Sequence, residues 1–409
     1  MKTKYNWKIK IWLFFISQGI TLFGSTLVQM AVIWYVTLDT SKGIWVAVFS
    51  VCSYLPQFLM SFAGGVWADR YSKKRLIMAS DAGIAAVTLA VFFLLPACGL
   101  GWKGLSVLLL MSGLRSVGAG IQTPAVNAVI PQLVPAPWLM RYNGINAAIQ
   151  SVVQFAAPAA AGVLLSALSL RMALLVDVFT AILGIGLLSR IEIPGQKTLR
   201  EERAFLKELG EGIHYTAANP IIGRILLLYG FFVLMCVPGG FLAGLLVSQV
   251  YGDTYWYLTV TELSGFAGMT AGGILMGIWG GFQEPTDRLG IRGNLRTLSA
   301  GLICFGILSA AMGMGAAFSI YLILMAMYGV ALTTVQTAVS ASLQAGTDSW
   351  MQGRILGMMG AVYSGALPLG MAFFGPLADL WPLSGMMIVC GIGLIVSGIF
   401  VRFQKNFVQ

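Results

Sequence analysis

Three ionisable residues stand where ionisation is expensive. Arg115 lies about eleven residues into the apolar run 103–128, near the centre of any bilayer that run would cross. A charge at that depth costs about 2.5–3.5 kcal/mol on insertion scales, so it must face the inside of a bundle and take a partner. Asp177 and Glu262 each lie about six residues from one end of the runs 171–189 and 255–280. Six residues rise about 9 Å, which sets both carboxylates towards the outer interface. A carboxylate held away from water is the group from which proton relays are built, protonated facing one compartment and ionised facing the other. Proton binding and release is therefore the chemistry these three residues can do. A structural ion pair is the other reading of Arg115, and a local role beside Arg171 that of Asp177. Asp81, six residues after Arg75, is expected to be tied to the charges that precede it.

Other chemistries lack their residues. The chain has one histidine, His214, in a charged segment, and five scattered cysteines, Cys52, Cys98, Cys236, Cys304 and Cys390. It carries no H-E-x-x-H, no G-x-S-x-G and no nucleotide-binding loop, so an enzyme, a metal site, a disulfide, a cofactor and an internal ATP motor are not expected.

The elements that hold the three charges are membrane spans. Of 409 residues, 58% are hydrophobic and 10% charged, against about 25% charged in soluble domains. Fifty glycines suit close helix packing in lipid. The net charge of +10 does not point to nucleic acid, because the cations sit between apolar runs rather than along one face. Twelve runs reach the length of a span: 11–38, 44–66, 76–97, 103–128, 142–168, 171–189, 221–250, 255–280, 297–316, 318–343, 354–377 and 383–403. The expected fold class is an all-α membrane protein of two six-helix bundles, 1–189 and 221–409. They are joined by a polar linker, 190–220, whose Leu206, Leu209 and Ile213 recur at helical spacing, as in an amphipathic helix on the membrane surface. No signal peptide is evident. With both termini in the cytoplasm, the cytoplasmic segments hold 21 of the 25 Lys and Arg and the external segments only Lys42, Lys103 and Arg171, as the positive-inside rule requires.

The densest charge cluster closes the second run: Gly64 to Arg75, G-G-V-W-A-D-R-Y-S-K-K-R. Charges so packed cannot lie in hydrocarbon, so a tight cytoplasmic loop is expected there, with small residues letting two helix ends approach. Gly65, Asp69, Arg70, Lys73, Lys74 and Arg75, together with Asp81, Arg141 and Arg354, form a candidate cytoplasmic gate. Polar stripes run down the first span (Gln18, Thr21, Ser25, Gln29) and the fifth (Asn143, Asn146, Gln150, Gln154), each on one helix face. Gln122 and Asn127 in the fourth span, and Gln336 among the hydroxyls of the tenth, extend the pattern. Several such stripes suggest a wettable central cavity, to which Trp34, Tyr54, Tyr229, Phe266, Met269, Tyr328 and Tyr363 would add aromatic and thioether surface for a bulky, partly apolar guest. Interhelical hydrogen bonding accounts for any single stripe.

The halves echo one another: Gly65-V-W-A-Asp69-Arg70 against Gly277-I-W-Gly280-Gly281 with Asp287 and Arg288, Arg141 against Arg354, and mid-span Pro158 against Pro368. Paired repeats with interrupted helices are a transporter design. The order G-x-x-A-D-R-x-x-K-K-R resembles the loop between the second and third spans of the major facilitator superfamily, with Ser72 where that family has a second glycine. G-L-R115-S-V-G-A-G resembles the fourth-span arginine motif of its drug:proton antiporters, and Gly144, Ala157, Pro158, Ala161 and Gly162 resemble the fifth-span antiporter motif. K-Y-N-W-K-I-K-I-W, S-T-L-V-Q-M-A-V-I-W-Y-V-T-L, Q-T-P-A-V-N-A-V-I-P-Q-L-V-P and V-T-E-L-S-G-F-A-G-M look like macrolide-efflux proteins of the same superfamily. The resemblance implies twelve helices, alternating access, and export of bulky amphiphiles in exchange for protons from a bacterial-type inner membrane. Asp177, Glu262 and Arg115 would do the coupling. The expected partners are an amphiphilic small molecule, protons and the lipid bilayer, and the chain is expected to act as a monomer. Siderophores or lipid-like metabolites as substrates, and a facilitator without proton coupling, are the alternatives.

Overall fold

A computed structural model describes residues 7–98, 101–135, 138–193, 214–282, 291–315, 317–347 and 352–403. The amphipathic helix expected at 199–215 falls almost entirely outside them. The described chain is helical without a strand, as lipid demands of any segment that must satisfy its own backbone. Its helices are α1 (Trp7–Thr40), α2 (Gly43–Arg70), α3 (Lys73–Cys98), α4 (Trp102–Leu133), α5 (Leu139–Ala167), α6 (Leu170–Ser189), α7 (Pro220–Cys236), α8 (Ala243–Val250), α9 (Tyr255–Trp279), α10 (Ile291–Met312), α11 (Phe318–Ala345), α12 (Gln352–Leu380) and α13 (Leu383–Phe403). Ten of these are long and apolar enough to cross a membrane. With the α7–α8 pair and the Thr- and Gly-rich α9 they fit the twelve expected spans.

Two expectations fail locally. The run 221–250 is not one helix: α7 stops at Cys236 and α8 starts at Ala243. Pro238, Gly239 and Gly240 lie between, a ring without an N–H followed by two residues that weaken a helix. The Leu234 carbonyl, which Pro238 has no N–H to reach, accepts from Val237 N at 3.2 Å, and the Cys236 carbonyl accepts from Gly240 N at 2.9 Å and from the Tyr328 hydroxyl at 3.4 Å. Nor is Gly64 to Arg75 a loop. α2 stays helical through Arg70 and α3 starts at Lys73, leaving only Tyr71 and Ser72 between. A helix already pairs its own N–H and C=O groups, and long cationic side chains can reach water from it, so charge alone does not end it. The close approach here belongs to Gly64: a Cβ on it would lie 2.6 Å from the Gly120 carbonyl and 2.8 Å from Ile121 Cα of α4, whereas Gly65 has nothing within 4 Å.

The described residues group into two compact units, one of 7–39 and 49–193, the other of 40–48 and 214–403. In the first, α3 and α4 run antiparallel and α6 packs on α3. Ile11, Phe14, Phe15, Ile77, Val129, Ile130 and Leu188 make a buried cluster near the start of α1, edged by Tyr142, whose ring meets Trp7 at 5.3 Å. In the second, Phe305 lies 4.9 Å from Phe232 and 4.0 Å from Tyr328, ring centre to ring centre. Glycines set the helix distances. Gly306 of α10 and Gly391 of α13 face each other's backbone carbonyls, and Ser299 donates to the Gly398 carbonyl at 2.7 Å along the same seam.

Candidate functional site

Four helices of the first unit converge on one buried pair. Arg115, midway along α4 and 7% exposed, makes an ion pair through Nη1 with Asp177 Oδ2 of α6, itself 2% exposed. Thr88 of α3 accepts from the same Nη1 and donates to Asp177 Oδ2 at 3.0 Å. Nη2 of Arg115 donates to Ser25 Oγ of α1 at 3.1 Å and to its carbonyl at 3.4 Å. The helices come close enough because small residues line their contacts. Gly24 of α1 sits directly against Thr180 and the Asp177 backbone, and Gly184 of α6 against Thr21. Seen from its neighbours, then, Asp177 is not an interfacial carboxylate but the counter-ion of the mid-span arginine. The Arg171 side chain lies over the Phe92 ring, 4.6 Å from its centre, instead of pairing with Asp177. Pairing in a low-dielectric interior offsets the insertion cost of both charges.

Asp81 is a second buried carboxylate on the same seam. It is 4% exposed, and Gln122 Nε2 of α4 donates to its Oδ1 at 2.5 Å. It makes no ion pair with any described cation, which departs from the expectation that it belongs to the charge cluster. Lys74 of that cluster points elsewhere: its Nζ donates to the Ser189 and Ile191 carbonyls at the end of α6, at 2.7 and 2.8 Å. A cation is well placed at a helix C-terminus, and this contact relieves the unfavourable start of α3 with three cations in a row. Lys73 is buried at 8% exposure, while Arg70 and Arg75 are exposed. The side chains of Asp69, Arg141 and Arg354, and Gly144, lie outside the described residues.

Glu262 is alone by comparison. It stands on α9, half-buried, without an ion pair among the described residues, where α9 runs beside α11. Ser264 donates to the Leu322 carbonyl at 2.6 Å, and Gly268 and Gly272 lie against Ala326 and Val330. Ala157, Pro158 and Gly162 are buried on α5.

The residues expected to line a cavity divide. Gln18 is buried in the first unit, against Ser17, and Ser25 and Gln122 are engaged by Arg115 and Asp81. Trp34 is buried, and Tyr229 and Tyr328 belong to the aromatic core of the second unit, correcting their assignment to open cavity wall. An aromatic ring in an apolar run serves core and cavity equally well, and only the neighbours distinguish them. Gln150 and Gln154 are exposed; Gln29, Tyr54, Asn146, Phe266, Met269, Gln336 and Tyr363 are half-buried.

Sequence reasoning missed Thr88 and Asp379. Thr88 stands seven residues from Asp81, a signal that both share one face of α3. Asp379, near the end of α12, accepts from the backbone N–H of Gly43 at 2.6 Å and of Ile44 at 3.0 Å, capping α2. That opening turn clusters with the second unit, and Gly375 packs on Ala47 beside it. Asp379→Ala should cost about 0.5–2 kcal/mol, as loss of a helix cap does, read as a lower Tm. Asp379→Asn should recover part of the loss; an unchanged Tm for the alanine variant would mean the cap is not formed.

Long apolar helices in two units, packed through glycine and holding an ion pair at mid-span, mark a multi-pass membrane protein. The chain belongs to the transmembrane secretion effector family of the major facilitator superfamily, whose sequence model matches residues 7–406. It is 27% identical to macrolide efflux protein A of Streptococcus pyogenes over 405 residues, 95% of this chain and 96% of that one. It is 24% identical to the enterobactin exporter EntS of Shigella boydii over 348 residues, 84% and 79% of the two chains. In fold it is similar to the nucleoside transporter NupG, with a TM-score of 0.72 at 12% identity over 99% of this chain and 100% of that one.

Proposed function

We propose that this efflux-type transporter exports bulky amphiphilic compounds, macrolide-like in character, by proton antiport and alternating access. The observation that carries the reading is the Arg115–Asp177 pair, in which one buried carboxylate and one buried cation are shared by four helices. A proton arriving on Asp177 neutralises the carboxylate and cancels the attraction that draws α4 to α6. Arg115 is then left to Ser25 and Thr88, and the packing of the helices is free to change. Loss of the proton restores the pair. Protonation and bundle geometry are thereby linked, which is what exchange requires. Glu262, without an ion-pair partner among the described residues, is the second coupling group. The half-buried polar, aromatic and thioether residues, among them Gln29, Asn146, Phe266, Met269 and Gln336, contact substrate. Both termini, and the Gly65–Arg75 end of the first unit with Arg141 and Arg354, face the cytoplasm across the inner membrane, where this cluster acts as the gate; the working form is a monomer.

Similarity to a macrolide efflux protein over nearly the whole of both chains favours macrolide-like guests. Similarity to an enterobactin exporter favours an enterobactin-like siderophore as the second choice. Purified protein in proteoliposomes, with an imposed pH gradient, should accumulate a labelled macrolide against its own gradient, and a protonophore should abolish the accumulation. The siderophore, a cationic dye and a lipid analogue, run in parallel, rank the substrate classes. Substrate binding with no response of transport to the pH gradient would overturn the antiport reading and leave a facilitator.

A further inference from the structure

The seam between α3 and α4 carries two polar rungs. At the upper one Thr88 meets Arg115, and at the lower one Asp81 meets Gln122. Each helix contributes residues seven apart, two full turns, so the rungs lie about 10 Å from each other along the bundle. Between them Ile84 lies over Gly118, whose missing side chain leaves just that room: a Cβ there would be 2.7 Å from Ile84 Cγ1. An apolar plug therefore separates the rungs, and the lower one is a site in its own right.

The lower rung is chemically incomplete. Asp81 Oδ1 has its amide donor, but Oδ2 is fully buried and receives no hydrogen bond from any described residue. No described charged group on the elements around it pairs with it, and Asp177 across the seam is of the same sign. On α3 itself, Lys74 is held by the end of α6, Lys73 is two turns away and Arg75 is exposed. On α4, Arg115 is committed to Asp177, and Lys103 lies more than three turns beyond it towards the opposite end. On α6, Asp177 is the only acid and Arg171 is over Phe92. On α2, Arg70 is exposed at the helix end. A single neutral amide does not compensate an ionised carboxylate taken out of water; such a group takes up a proton instead. We propose that Asp81, positioned by Gln122, is a further proton-binding site of this transporter, loaded in the conformation seen here and distinct from Asp177 and Glu262. The proton forms an O–H bond on Asp81 Oδ2 and leaves as hydronium when the α3–α4 seam opens to water. As a coupling site it rests on the antiport reading; as a proton site it does not.

Dicyclohexylcarbodiimide adds to protonated carboxyls in apolar surroundings. Full-length protein treated with it in nanodiscs at mildly acidic pH should carry the adduct on Asp81, located by peptide mass spectrometry. The adduct should disappear in alkaline buffer, and Gln122→Leu should move the pH at which it disappears. Asp81→Asn keeps the acceptor that Gln122 uses and should fold. Stepped from alkaline to acidic buffer, it should take up one proton fewer per chain than the wild type in an indicator-dye titration. Absence of the adduct at every pH at which other buried carboxyls react, or equal proton uptake by Asp81→Asn and wild type, overturns the proposal. In proteoliposomes Asp81→Asn should bind macrolide normally and lose gradient-driven accumulation. If the wild type itself ignores the gradient while the adduct and the proton count are as expected, the antiport reading fails and the proton site stands.

Discussion

Asp177→Asn should abolish gradient-driven transport and also weaken the fold, and the two losses should come apart in a double variant. The substitution keeps the size of the side chain but leaves Arg115 as a buried cation with only Ser25 and Thr88 as partners. Removing one partner of a buried pair typically costs about 3–5 kcal/mol, because the remaining charge is left uncompensated. The expected sign is a Tm drop and a reduced yield of folded protein. Arg115→Gln should do the same from the other side. In Arg115→Gln with Asp177→Asn no charge remains in the site, and most of the lost stability should return, since a neutral polar set is easier to bury than a lone ion. Transport driven by the pH gradient should stay absent in Asp177→Asn and in the double variant, because neither can change the charge of the site by binding a proton. In Arg115→Gln the carboxylate remains but, without its cation, is held protonated, so the cycle of pairing and release is lost there too. Full coupling in Asp177→Asn would remove this residue from the mechanism, and Glu262→Gln then becomes the decisive variant. Equal Tm losses in the single and double variants would show that shape, not charge, holds the four helices together.

Gly268→Leu should prevent stable folding, whereas Gly277→Ala, nine residues along the same helix, should not. Ser264, Gly268 and Gly272 fall at four-residue intervals on α9, opposite Leu322, Ala326 and Val330 of α11. The two helices lie so close that a Cβ on Gly268 would collide with the Ala326 backbone, and Gly329 of α11 is pressed on α9 in the same way. Backbone cannot swing aside as a flexible side chain can. Overpacking ordinarily costs about 1–3 kcal/mol, and here the whole seam must separate, so the loss should reach or exceed that range. Gly277 has nothing within 4 Å, and alanine there trades a flexible residue for a good helix former, worth about 0.5–1 kcal/mol. Thermal melts of the two variants in the same detergent make the comparison. A Gly268→Leu protein that melts with the wild type would mean that α9 and α11 do not approach as described.

The sequence by itself determined that the chain is a set of long apolar helices and where most of them lie. A bilayer leaves a chain few choices: about twenty apolar residues, coiled so that every N–H finds its own carbonyl. The runs 103–128, 318–343 and 383–403 therefore correspond closely to α4, α11 and α13. The same constraint made Arg115 conspicuous, since its cost depends on depth, and depth can be read by counting residues. Family motifs were legible because they are strings. Where composition stays apolar, however, the break between α7 and α8 carries no signal beyond Pro238 and two glycines, and the polar composition after Gly64 concealed one further helical turn and more of α2.

Tertiary structure decided the partners. Period 3.6 showed that Gln18, Thr21 and Ser25 share a face of α1, but not that Thr21 would fill the space beside Gly184 while Ser25 would reach Arg115. Asp177 pairs with a residue 62 positions away and Lys74 with carbonyls 115 and 117 positions away. Asp379 caps a helix that starts more than 300 residues earlier. Periodicity is a property of one helix and names the residues that look the same way. What they look at depends on how helices far apart in the chain come to lie together, and that is set by glycines and ridges meeting across the seams.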